Sequence, residues 1–155
     1  MLKFYSIAIS VIVLDQATKF AAAKYLVRGP IELGPFLNLT LVFNTGAAFG
    51  FLSDASGWQN FVFAIIAMIV SFVIIAMVRR LSANDVQVLV GLMLVLGGAI
   101  GNLIDRLRNG YVVDFIDVYY QDWHWPAFNV ADSAISIGVV LLVLDAIGLG
   151  FRKRY

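Results

Sequence analysis

The stretch FVFAIIAMIVSFVIIAMV, residues 61–78, holds eighteen residues and no charged side chain. As a helix rising about 1.5 Å per residue it reaches across most of a hydrocarbon core roughly 30 Å thick. The rest of the chain has the same character. Of 155 residues, 61% are hydrophobic and 14% charged, and the mean hydropathy is +0.89. A body of this size cannot bury that much apolar surface inside itself. The solvent that suits it is a bilayer.

Three further runs lie to either side. Residues 4–26 form an apolar run interrupted by Asp15, Gln16, Thr18 and Lys19. Residues 86–104 read VQVLVGLMLVLGGAIGNLI, and residues 133–151 carry one charge, Asp145. The pattern predicts an α-helical membrane protein with four transmembrane helices. Residues 1–23 also have the outline of a secretion signal: Lys3, an apolar core and the small run 21–23. The charges at Asp15 and Lys19, and the spans that follow, favour a retained helix. Four spans put both termini on one side. Lys3, Arg79, Arg80, Arg152, Lys153 and Arg154 share it, against Lys19, Lys24, Arg28, Arg106 and Arg108 opposite. Lys19 and Arg106 fall within or at the edge of spans, where charge serves function. Setting them aside makes the termini cytoplasmic.

The long connections, 27–60 and 105–132, then face outward. FLNLTLVF (36–43) alternates apolar and polar residues with β-branched members, which predicts a strand. Pro30, Gly34 and Pro35 punctuate its start, and small Gly46, Ala47, Ala48 and Gly50 follow. A small extracytoplasmic β-sheet in the loop between helices one and two is expected, with Trp58, Trp123 and Trp125 as interfacial anchors. No repeat or linker divides the chain, so residues 1–155 are read as one domain.

Several chemistries drop out. There is no cysteine, which removes disulfides, thiolate metal sites and cysteine nucleophiles. A net charge of +1 gives no reason to expect a nucleic-acid partner. The one histidine, His124 in DWHWP, reads as an interfacial residue, and neither a metal nor a cofactor is expected.

Polar residues remain where the bilayer should exclude them. Asp15 and Lys19, four apart, share a helix face, either as a neutralised ion pair or as the support of a polar pocket. In GGAIGNLIDR, Gly97 and Gly101 permit close helix packing, and Asn102 and Arg106 share a face with Asp105 between them. In NGYVVDFIDVYY, Asp114 is set among Val112, Val113, Phe115 and Ile116, a costly place for an unpartnered carboxylate. Asp117 precedes a more polar stretch and reads as solvated. Asp132, at the mouth of the last span in FNVADSAISIG (128–138), reads alone as a helix N-cap. Together, Asp114 and Asp132 flank one loop. Facing each other, they could not both ionise and would share a proton. Such a pair can take a proton from water and give one to a leaving amine. The rival reading is a small transporter or proton relay built on Asp15, Lys19 and Asp145, with a scaffold subunit or a lipid-phosphate enzyme behind it.

These residues resemble the bacterial lipoprotein signal peptidases, type II. DQATK (15–19), NTGAAFG (44–50), GGAIGNLIDRLRNGYVVDFID (97–117) and FNVADSAISIG (128–138) match four ordered family blocks across nearly the whole chain. The resemblance implies an intramembrane aspartic endopeptidase with Asp114 and Asp132 as its catalytic dyad. It implies that Asp15, Lys19, Asn44, Gly46, Asn102, Asp105, Arg106, Asn129 and Ala131 line or brace the site. It also implies a diacylglyceryl prolipoprotein substrate cleaved on the amino side of the lipidated cysteine, inhibition by globomycin, and a place in the bacterial inner membrane with the site near its outer face.

Overall fold

The computed structural model describes residues 2–46 and 57–150. Four α-helices occur among them: α1 Leu2–Tyr25, α2 Trp58–Val78, α3 Val86–Asn109 and α4 Val130–Ala146. A short 3-10 turn, Leu26–Arg28, extends α1. Among the described residues, three helical segments are long and apolar enough to cross a membrane: Leu2–Arg28, Trp58–Val78 and Val86–Asn109. The fourth helix begins earlier than its apolar run and ends at Ala146, so its 17 residues make a shorter rod than the sequence predicts. The third runs on past residue 104 to Asn109, which puts Asp105 and Arg106 on the helix rather than in the loop after it.

Small residues bring the helices together around α3. A methyl group at Gly97 would lie 2.7 Å from Val11 Cβ and 2.8 Å from the Ala8 carbonyl oxygen, both on α1. One at Gly138 on α4 would lie 2.6 Å from the Gly91 carbonyl oxygen of α3. The backbones can therefore approach only because no side chain intervenes. Phe4, Ala8, Ile74, Val78, Leu89, Leu92, Met93 and Leu96 form the buried apolar core shared by α1, α2 and α3. Elsewhere α2 turns Phe61, Ile69 and Phe72 outward, as a lipid-facing helix does.

A four-stranded antiparallel sheet caps one end: β1 Ile31–Gly34, β2 Leu37–Asn44, β3 Val112–Tyr120 and β4 Trp123–His124, in that order. The alternating stretch 36–43 supplies β2, as predicted. The sheet is not confined to the first loop, because β3 and β4 come from the connection between α3 and α4. Gly110, at φ +80°, closes α3 and donates its N–H to the Arg106 carbonyl. A residue without Cβ adopts that conformation at little cost, and the chain turns directly into β3. Phe115 on one face of β3 packs with Ala22 and Leu26, which fixes the sheet against the end of α1.

Candidate active site

Each carboxylate of the candidate dyad is placed by a different kind of element. Asp114 belongs to β3, where period-two alternation sends Val112 and Asp114 to the face opposite Phe115. The residue is 2% exposed. Asn44 ends β2 opposite Val112, and from that diagonal position its Nδ2 donates to Asp114 Oδ2 at 2.9 Å. Asp132 belongs to the first turn of α4. The N-cap of that helix is Asn129, not Asp132. Asn129 Oδ1 accepts the Asp132 N–H at 2.9 Å, and Asp132 Oδ2 accepts the Asn129 N–H at 3.1 Å. This reciprocal capping box explains why an apolar helix opens on these two polar residues.

Asn129 also joins the two acids. While its backbone N–H reaches Asp132, its Nδ2 donates to Asp114 Oδ1 at 2.7 Å. Asn102 of α3 supports the same arrangement. Its Nδ2 donates to Asp132 Oδ1 at 2.8 Å, and its Oδ1 lies 3.2 Å from Asn129 Nδ2. Burial pushes the Asp114 carboxyl up to about 6. The nearby charge of Asp132 adds to that rise, while the Asn44 and Asn129 hydrogen bonds and the Lys19 charge oppose it.

Beneath the acids sits a buried charged hub. Lys19 Nζ lies 2.8 Å from Asp15 Oδ2, 3.0 Å from Asp105 Oδ2 and 2.8 Å from Asn102 Oδ1. An ammonium has three N–H donors, and these three acceptors match them in number. Each acceptor leads to the dyad by one more bond. Asp15 Oδ1 accepts the N–H of Ala131, the residue before Asp132, at 3.0 Å. Asp105 Oδ2 accepts the N–H of Val113, the residue before Asp114, at 3.1 Å. Asn102 reaches Asp132 itself. Gln16 ties the hub together, donating to Asp105 Oδ1 at 3.0 Å. Of the two readings of the Asp15–Lys19 spacing, the ion pair and the pocket support are thus the same object.

Both acids line a cavity of about 480 Å³, with Asn44, Gly46, Asn102 and Arg106 also on its walls. Arg106 Nη2 donates to the Gly46 carbonyl at 3.3 Å, and its guanidinium lies 5.3 Å from the Phe63 ring centre. Among the described residues its Nε has no hydrogen-bond partner. The sequence-selected residues therefore meet in one place: Asp15, Lys19, Asp105 and Ala131 beneath the carboxylates, Asn129 buried between the two acids, and Asn44, Gly46, Asn102 and Arg106 at the cavity. Of the small-residue run after β2, Ala47, Ala48 and Gly50 lie outside the described residues, as do Arg152, Lys153 and Arg154.

One reading needs correction here. Asp117 is buried, not solvated, because β3 places it opposite Asn38 and His124 Nδ1 covers it at 2.9 Å from Oδ1. His124 has side-chain contacts with Asp117 and with the stacked Tyr119 ring at 5.3 Å. Asp145 stands in the last turns of α4, 13 residues past Asp132 and about 20 Å along the axis, away from the cavity lining. Sequence reasoning missed the wall formed by Trp125, Pro126, Ala127 and Phe128, and the serines Ser133 and Ser136 that continue it along α4. A three-residue offset on one helix was the available signal for those serines.

Comparison with known proteins identifies the family. The family described as signal peptidase (SPase) II matches residues 7–148. The lipoprotein signal peptidase of Acinetobacter baylyi is 51% identical over 140 residues, covering 90% of this chain and 78% of that protein. That of Coxiella burnetii is 51% identical over 138 residues, covering 88% and 85%. A bacterial membrane enzyme solved at 1.9 Å superposes with a TM-score of 0.84 at 32% identity, covering 95% of this chain and 94% of its own. With two aspartates on one cavity and a match spanning nearly its whole length, the chain belongs to the signal peptidase II family.

Proposed function

We propose that the chain is an intramembrane aspartic endopeptidase that removes the signal peptide from diacylglyceryl-modified prolipoproteins, cutting on the amino side of the lipidated cysteine. The observation that carries the catalytic assignment is the double role of Asn129, whose side chain holds Asp114 and whose backbone N–H holds Asp132. Asp132 stands in the first turn of α4 and accepts N–H bonds from Asn102 and Asn129. A helix N-terminus favours negative charge, so Asp132 is suited to act as the base. Asp114, raised to about 6 by burial, is suited to hold the proton.

The reaction follows from that asymmetry. Water attacks the scissile carbonyl as Asp132 takes one of its protons, and Asp114 gives its own proton to the developing oxyanion. In the tetrahedral diol that results, Asp132 then protonates the leaving amine. As the C–N bond breaks, Asp114 recovers a proton from a diol hydroxyl. The dyad ends with one proton, as it began. Arg106, whose Nε has no partner among the described residues, supplies further positive charge beside the oxyanion.

In this reading α4 also spans the bilayer, the sheet lies at the outer surface, both termini are cytoplasmic, and the whole chain is one domain. The signal peptide, an apolar helix, approaches laterally through lipid. The transporter reading has less support, because Asp145 stands apart from the cavity. The test is conversion of a synthetic diacylglyceryl prolipoprotein by the purified protein in the presence of a metal chelator, with block by globomycin. Proton flux in liposomes without cleavage would instead favour transport.

A further inference from the structure

The cavity does not stop at the two acids. It continues along α4 past Ser133 to Ser136 and Ile137, one helical turn deeper, with Phe128 beside it. On this part of α4 the outward residues are apolar: Ile137, Val139, Val140 and Val143 are all exposed, as lipid-facing side chains are. Ser136 is exposed too, and it is polar. The Ser133 hydroxyl is committed, donating to the Asn129 carbonyl at 2.9 Å. Among the described residues no hydrogen bond occupies the Ser136 hydroxyl, although a helical serine in apolar surroundings ordinarily bonds back to its own helix. An unpaired hydroxyl on the lipid-facing wall of a cavity is costly unless something fills it.

A signal peptide reaching the dyad would meet this hydroxyl. Its scissile end must leave the helical state, which frees backbone N–H and C=O groups in a place without bulk water. Residues before the scissile bond lie deeper in the bilayer than the bond itself, on the Ser136 side of Asp132. Ser136 is four residues along the helix from Asp132, about 6 Å. An extended peptide covers that distance in about two residues.

Resting on the peptidase reading above, we infer that Ser136 is a substrate-binding residue whose hydroxyl hydrogen-bonds the substrate backbone two residues before the scissile bond. Ser136 thus receives the point where the signal peptide unwinds. The experiment is steady-state cleavage of a synthetic diacylglyceryl prolipoprotein peptide and of its analogue with an ester in place of the amide at that position. Ser136→Ala should raise KM about fivefold, the contribution of one neutral hydrogen bond, and leave kcat nearly unchanged. Ser136→Thr, which keeps the hydroxyl, should restore KM. The ester should weaken binding to the native protein and have no further effect on Ser136→Ala. An unchanged KM in Ser136→Ala, or ester and alanine losses that multiply independently, overturns the inference. The ester test on the native protein alone keeps it refutable if a variant folds poorly. Failure of the native protein to cleave either peptide overturns the peptidase reading itself.

Discussion

Replacing Lys19 by methionine removes the centre of the charged hub while keeping a side chain of similar length. Asp15 and Asp105 are 0% and 3% exposed, and Lys19 is the one cation in salt-bridge contact with either among the described residues. Breaking a buried pair by removing one partner costs roughly 3–5 kcal/mol, because the abandoned charge remains buried. For a chain of this length each kcal/mol corresponds to about 2–4 °C, so Tm in detergent should fall by roughly 10 °C. Turnover should fall as well, by about a hundredfold, since the backbone ties next to Asp114 and Asp132 depend on the same two carboxylates. A compensated variant, Lys19→Met with Asp15→Asn and Asp105→Asn, removes the stranded charges yet keeps a carbonyl oxygen for Ala131 and Val113. It should recover most of the lost Tm. The assay is thermal unfolding of the three purified proteins alongside their cleavage rates. A Lys19→Met protein with unchanged Tm and turnover refutes the hub.

Two further outcomes follow from single contacts. Asp114 must be protonated to act as the acid, so kcat/KM should decline as pH rises through about 6. Asn44→Ala removes a donor that favours the charged form. The decline should therefore move to higher pH, by about one unit for a bond of this kind, and a shift downward would contradict the assignment. Gly98→Ala would drive a methyl group into the Ala131 carbonyl oxygen and to 2.7 Å from Ile135 Cγ1. Forcing α4 off α3 should cost about 1–3 kcal/mol and displace Asp132, read as a lower Tm together with lost turnover.

The spans were legible because the bilayer imposes a length and a composition that few other environments demand. α2 could be read without any neighbour, since all eighteen residues of its apolar run are uncharged. The end of α3 was legible in part: the four-residue spacing of Asn102 and Arg106 carries the helix that far, but nothing in the sequence extends it through Arg108 to Asn109. Asp132 was misread as the cap although Asn129, three residues earlier, forms a local capping box with it; what no local pattern encodes is the bond from Asn129 Nδ2 to Asp114, which depends on the approach of β3. Asp117 was misjudged for a similar reason, since its cover comes from His124 across a hairpin. The site residues themselves were found chiefly through family resemblance. Spacing placed Asp15 with Lys19 and Asn102 with Arg106, but only the fold joins the two pairs through one ammonium group.

The most direct test of the shared-proton dyad is the cleavage rate of Asp114→Asn and Asp132→Asn, each first shown to fold with a native-like Tm. Both should leave a diacylglyceryl prolipoprotein uncut under conditions where the native protein processes it completely with chelator present. Substantial turnover by either variant would mean that the reaction runs without one of the two carboxyl groups, and the mechanism would have to be abandoned.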